Sequence, residues 1–148
     1  MPMLQNKILF FTEDNTYRIR KKRILREWLF EVIGAESKRV GEINIILCSD
    51  EYLHKINLEY LNHDTLTDIV TFDSTEDNII SGELYISIDR IKENAKKFST
   101  FTMNELHRVI VHGVLHLCGF GDKTEKEKEL MTSKENFYLA LRPLNING

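Results

Sequence analysis

With 148 residues, 42% of them apolar, the chain has the size and composition of one ordinary globular domain around a single core. A formal charge of −3 excludes a global electrostatic pull toward nucleic acid or membrane, so any such partner must be met by a local patch. No apolar run approaches the roughly 20 residues needed to span a bilayer, and the opening MPMLQNKILFFTEDN has only a short apolar stretch, which points to a cytoplasmic protein with no membrane partner.

In chain order, Ile8 to Phe11 reads as a short strand followed by a turn through Glu13, Asp14 and Asn15. From Arg18 the pattern changes: Ile24, Leu25, Trp28, Leu29, Val32 and Ile33 form one apolar helical stripe, with Gly34 as its expected stop. Residues 42 to 48, EINIILC, alternate as a mostly buried strand, and Ser49 or Asp50 is placed to cap a helix carrying Leu53, Ile56 and Tyr60. A polar turn from Asn62 to Leu66 leads to two strands, Ile69 to Phe72 and Glu83 to Ile88. These are joined through the Ser-Thr-Glu-Asp-Asn segment and Gly82 and are expected to pair as a hairpin. Ile88, Ile91, Ala95 and Phe98 mark a third helix, Asn104 to Cys118 a strongly apolar fourth, and Glu125 to Leu141 a charged fifth ending near Pro143.

These elements predict an α+β fold in a single domain over residues 1–148, with no linker, repeat or low-complexity segment. The strand, helix, strand opening favours a parallel pair through a right-handed crossover, and the hairpin adds an antiparallel pair. The expected architecture is a four-stranded mixed sheet packed with about five helices, the fourth of them central. Cys48 and Cys118 lie in apolar runs, where free buried thiols are expected rather than a disulfide.

The segment HGVLHLCGFGD, His112 to Asp122, carries the chemistry. Residues four apart on a helix sit on one face about 6 Å apart along the axis, so His112 and His116 can converge on one divalent ion. Their neighbours Val109, Ile110, Val111, Val114, Leu115 and Leu117 are apolar, and two unpaired imidazoles buried there would be costly. Gly119 stands where a left-handed C-terminal cap is expected, and a chain reversal there could bring the Asp122 carboxylate back to the histidines. Three protein ligands leave one coordination position open, the layout of a catalytic zinc site. Glu105 and Arg108 precede His112 on the same face, either as orienting partners or as an ordinary helix ion pair. His107 falls off that face and reads as a surface or partly buried residue.

The motif resembles the YbeY family of ribosomal RNA maturation factors, whose signature His-Gly-x-Leu-His-Leu-x-Gly-(Tyr/Phe)-x-His is matched from His112 through Phe120. Upstream, Ile56-Asn57 and Thr67-Asp68-Ile69-Val70-Thr71-Phe72 look like the family's Leu-Asn and Thr-(Asp/Asn)-Val-Leu-Ser-Phe blocks. Gly82-Glu83-Leu84 is similar to its Gly-Asp-Ile strand, and Met131 fits its tail helix. The resemblance implies a single-domain α+β fold, a bound zinc-like ion, and a single-strand-specific endoribonuclease acting in small-subunit rRNA 3′-end maturation and ribosome quality control. Ribosomal RNA and the small ribosomal subunit are its implied partners, with no organic cofactor. His112, His116 and Asp122 would work through the ion they hold, with Arg108 as an added catalytic cation. Two departures stand out: the family's third histidine is Asp122 here, a harder and more anionic ligand, and the arginine that usually follows the tyrosine at Tyr60 is Leu61. That arginine's role is left vacant or passes to His63, Lys55 or Arg108.

For holding RNA phosphates the candidates are Arg18, Arg20, Lys21, Lys22, Arg23 and Arg26, a basic cluster mostly off the apolar stripe of the first helix. The mixed Glu/Lys run at 125 to 129 reads instead as a solvated face. Two rival functions follow. A metzincin-like zinc peptidase shares the ligand spacing, but such enzymes place a general-base Glu directly after the first histidine, where this chain has Gly113. A non-catalytic RNA-binding assembly factor would use the basic cluster to dock and keep the ion for stability.

Overall fold

The computed structural model describes residues 5–61, 67–143 and 145–146. Strand β1 (Lys7–Thr12) runs parallel to β2 (Arg39–Cys48), which runs parallel to β4 (Ile79–Ser87), while β3 (Ile69–Asp73) pairs antiparallel with β4. The sheet order is β1-β2-β4-β3, the mixed sheet that the strand pattern predicts. Period-2 alternation turns Ile43, Ile45 and Leu47 of β2 and Ile80, Leu84 and Ile86 of β4 to one face, all fully buried. Helices α1 (Lys22–Ala35), α3 (Ile88–Lys97), α4 (Thr102–Leu117) and α5 (Glu125–Ala140) contribute to the core on that face. Helix α2 (Asp50–Leu61) supplies a second cluster, in which Leu53 and Ile56 meet Cys48 and Val70. Cys118 belongs to the first cluster and Cys48 to the second, so the two thiols are buried apart, and burial pushes the pKa of each up to about 12.

Helix α4 lies against β3, β4 and helices α1, α3 and α5. Gly113 permits this approach to the sheet, because a Cβ there would come within 2.8 Å of Ile69 Cδ1 and 2.9 Å of Leu84 Cδ1. Helix α5 is tied back to α1: Trp28 Nε1 donates to the Tyr138 carbonyl at 3.0 Å, and Lys134 and the Tyr138 hydroxyl both donate to Glu36. Among the described residues no helix is long and apolar enough to cross a membrane.

Several boundaries differ from the sequence reading. The first helix begins at Lys22, leaving Arg18, Arg20 and Lys21 in the preceding segment, and Lys21 takes a left-handed backbone conformation at the helix start. Gly34 does not stop it; the helix runs through Ala35 and the left-handed residue is Ser37, whose N–H bonds the Gly34 carbonyl. Gly82 lies inside β4, opposite Ile43 on one side and Asp73 on the other, so β4 reaches back to Ile79. Ile88 opens α3 instead of ending the strand, with Ser87 Oγ accepting from Arg90 N. Helix α2 starts as expected, with Ser49 Oγ accepting from Tyr52 N. The polar turn read at Asn62 to Leu66 lies outside the described residues.

Candidate metal centre

His112 and His116 project one turn apart from α4, their rings edge to face with centroids 5.1 Å apart. The helix ends in a paired cap: Gly119 N–H bonds the His116 carbonyl and Phe120 N–H the Leu115 carbonyl, with Gly119 at φ 106°. This reversal carries the chain back along the helix end, and Thr124 and Glu127 then close a capping box that starts α5. Between these two fixed points Asp122 Oδ2 comes within 3.4 Å of His112 Nε2 and 3.2 Å of His116 Nε2. Ligand atoms 2.0–2.1 Å from a tetrahedral centre lie about 3.3 Å apart, so the spacing fits one small divalent ion. One ligand atom from each of the three residues lies within 4.8 Å of the others.

The sequence reading missed Glu135. This carboxylate, only 7% exposed, reaches across from α5 to lie 2.7 Å from His112 Nδ1 and to accept from Arg108 Nη1 at 2.8 Å. With the Nδ1 proton held by Glu135, Nε2 is left with a free lone pair on the Asp122 side. Burial lowers the pKa of His112, but the Glu135 hydrogen bond and charge, helped by Asp122 and Asp68, outweigh it and the net shift is upward. The signal was present in the sequence: Met131, Glu135 and Tyr138 form the buried stripe of α5, and one member is an acid.

A cleft of about 260 Å³ opens at this centre, lined by Asp68, Glu105, Arg108, His112, Asp122 and Glu135 together with Ile69 and Val109. Burial pushes the Asp68 carboxyl above its ordinary range, against partial relief from His112. Burial and the neighbouring Asp68 charge raise Glu105 likewise. Arg108 lines the cleft as well, and among the described residues its hydrogen-bond partners are Glu135 and Asn136, not Glu105. Of the other candidates for the missing arginine, Lys55 is exposed on α2 and does not line the cleft, and His63 lies outside the described residues.

His107 is a second correction. It is fully buried, its ring 5.9 Å from that of Trp28 and its Nδ1 2.8 Å from Arg142 Nη1, while Nε2 has no hydrogen-bond partner among the described residues. Burial, with the Arg142 charge beside it, pulls its pKa down to about 4. It fell off the metal face, yet α4 is covered on more than one side and this side faces α1. In the basic cluster, Arg18, Arg20, Lys21, Lys22 and Arg23 are exposed. Arg26 is turned inward: Nε donates to the Ile8 carbonyl at 2.7 Å and the guanidinium lies 5.3 Å above the Phe10 ring.

Comparison with known proteins places the chain in a family. The family model described as "Endoribonuclease YbeY" matches residues 9–141. A protein named Endoribonuclease YbeY from Christiangramia forsetii is 50% identical over 139 residues, covering 94% of this chain and 96% of the relative. The protein of the same name from Cytophaga hutchinsonii is 47% identical, covering 95% of this chain and 99% of the relative. The solution structure of TM1509 from Thermotoga maritima superposes with a TM-score of 0.64 at 29% identity, covering 89% of this chain and 86% of that one. On the extent of the family match and the identity to these relatives, this chain belongs to the Endoribonuclease YbeY family.

Proposed function

We propose that this protein is a metal-dependent endoribonuclease that cuts single-stranded RNA during small-subunit rRNA maturation and ribosome quality control, acting in the cytoplasm as one domain. The observation that carries this reading is the meeting of two imidazole nitrogens and a carboxylate oxygen at tetrahedral ligand spacing, beside an open cleft, in a chain whose relatives are named endoribonucleases. His112, His116 and Asp122 are the ligands in this reading, and zinc is the proposed ion. Such an ion supplies Lewis acidity at the scissile phosphate and lowers the cost of generating a nucleophile near neutral pH.

The chain's own residues do the rest. Glu135 fixes the tautomer and orientation of His112. Arg108, held by Glu135 and Asn136 at the cleft wall, offers a positioned cation where negative charge builds on the phosphate in the transition state. Asp68 and Glu105, both shifted upward by burial, can hold or pass a proton closer to neutral pH than an exposed carboxylate. Gly113 stands where a zinc peptidase would carry its general base, and the space above it is filled by Ile69 and Leu84. The peptidase reading therefore lacks both the residue and the room for it.

The test is direct. Native-condition protein is expected to hold about one divalent ion per chain, and metal-loaded protein is expected to shorten a single-stranded oligoribonucleotide that survives incubation with His116→Ala. Equal survival in both samples would remove the hydrolase and leave an RNA-binding factor.

A further inference from the structure

The metal cleft accounts for one side of Arg108. On its other side a larger groove of about 630 Å³ runs between the start of α4 and the end of α5, lined by Asn104, Glu105, Arg108, Asn136, Ala140 and Arg142, with Phe98 along its edge. Glu105 and Arg108 wall both hollows, so a chain lying in the groove passes directly into the cleft.

Arg142 has an unusual set of partners. Its Nε donates to the Leu139 carbonyl at 3.0 Å, and its Nη1 donates to Asn104 Oδ1 at 3.1 Å and to His107 Nδ1 at 2.8 Å. All three acceptors are neutral, since His107 is buried beside a guanidinium that disfavours its protonation. Among the described residues no carboxylate pairs with Arg142, and the two Nη2 donors carry no hydrogen bond. The side chain is thus held in place by three bonds while its charge and one end of its fork are unspent. Burial and the nearby Arg108 charge both lower its pKa, the mark of a cation short of a counter-ion. The one carboxylate lining the groove, Glu105, is only 7% exposed.

We propose that this groove is a phosphate-binding subsite for the RNA strand leading to the metal centre, with Arg142 as its anchoring cation. The occupant is a single strand because the groove combines fixed guanidinium donors with a large exposed ring, Phe98, which is 61% exposed. Cationic groups that track a backbone beside aromatic faces on which bases stack are what unpaired nucleic acid requires. The volume falls within the range of about 300–1,000 Å³ typical of ligand sites. The proposal rests on the endoribonuclease reading for the identity of its ligand and extends it to a residue and a surface outside the metal centre.

The test measures binding of a single-stranded oligoribonucleotide to the full-length, metal-loaded protein as a function of salt. Arg142→Gln is expected to weaken binding about tenfold and to reduce the slope of log K against log salt by about 0.7, the signature of one lost phosphate contact on a single strand. Arg142→Lys, which keeps the charge and loses the fork, should fall between the two. Ala140→Glu adds an anion to the groove from an exposed position and removes none of the bonds above. It is expected to weaken binding as well, and it decides the matter if Arg142→Gln does not fold. Metal content should stay unchanged in both. Wild-type affinity and slope in folded Arg142→Gln and Ala140→Glu would overturn the subsite, even if the wild type cleaves RNA. Loss of binding to a ribosomal protein with RNA affinity intact would also overturn it, assigning the groove to a protein partner. Failure of the endoribonuclease reading shows separately, as equal RNA survival with wild type and His116→Ala.

Discussion

Glu135→Gln keeps the volume of the side chain and changes only its charge and hydrogen-bonding pattern. In the native arrangement both carboxylate oxygens are occupied, one by Arg108 Nη1 at 2.8 Å and one 2.7 Å from His112 Nδ1. A glutamine offers one acceptor and one donor end, and Arg108 can only donate. Arg108 therefore takes the amide oxygen, and the amide nitrogen turns toward His112. Nδ1 must then accept, which moves the ring proton to Nε2, the nitrogen 3.4 Å from Asp122 and the one that would bind an ion in the proposed site. Losing a carboxylate partner of a ligating histidine typically costs about 10–100-fold in metal affinity, or roughly 1.4–2.7 kcal/mol. The expected outcome is a zinc Kd raised by that factor, read by competition with a chromophoric chelator on protein shown to be folded by circular dichroism. Asn136→Ala loses a contact to Arg108 but none to His112, and serves as the control with affinity unchanged. An affinity for Glu135→Gln within about twofold of wild type would refute the tautomer argument, because it lies well outside that range.

Three other outcomes follow from the geometry. Gly119→Ala forces a side chain into the left-handed region at an open position, where the cost is backbone strain of about 1–2 kcal/mol; a Tm lower by about 2–8 °C, with weaker metal binding through Asp122, is expected by calorimetry. His107 stays neutral in the fold down to about pH 4, whereas the unfolded chain takes up its proton near 6.5. Stability should therefore fall as pH drops between those values, by about 3 kcal/mol from this residue. Urea titrations of wild type and His107→Gln should diverge by that amount across the window, and parallel curves would count against it. In the basic cluster, Arg20→Ala with Lys22→Ala should flatten the salt slope of RNA binding at unchanged Tm, since both side chains are exposed. Arg26→Ala should instead lower stability by about 1–2 kcal/mol through the lost Ile8 and Phe10 contacts, seen in chemical denaturation.

The meeting of His112, His116 and Asp122 was legible because all its determinants are local: a four-residue helical repeat, a glycine where the helix must reverse, and an acid three residues later. The sheet was legible for a related reason, since alternation in residues 42 to 48 and the hairpin need only short-range pattern. What escaped depends on how elements meet. Glu135 sits 23 residues from His112 on another helix, and nothing in the spacing says which turn of α5 faces which turn of α4. A single-face helical wheel misplaces His107 because it assumes one covered side, while α4 is covered by the sheet and by other helices. Local preference marks Gly34 and Gly82 as punctuation, yet one continues a helix and the other a strand, because the tertiary environment outweighs that preference. Arg26 lies off the apolar stripe and so reads as solvent-facing, yet its long side chain bends back to the Ile8 carbonyl, which only the position of β1 reveals.

The two helices that build the centre do unequal jobs. Helix α4 owns both imidazoles and holds their mutual spacing rigid, whereas α5 acts at two separate points: Asp122 stands just before its capping box on the Nε2 side, and the buried Glu135, three turns further along, holds the His112 ring by Nδ1. A small slide of α5 along α4 would move the third donor and the histidine tautomer together. The clasp that Glu36, Lys134 and Tyr138 make between α1 and α5, remote from these side chains, would resist such a slide and keep Asp122 and Glu135 in step with the two histidines.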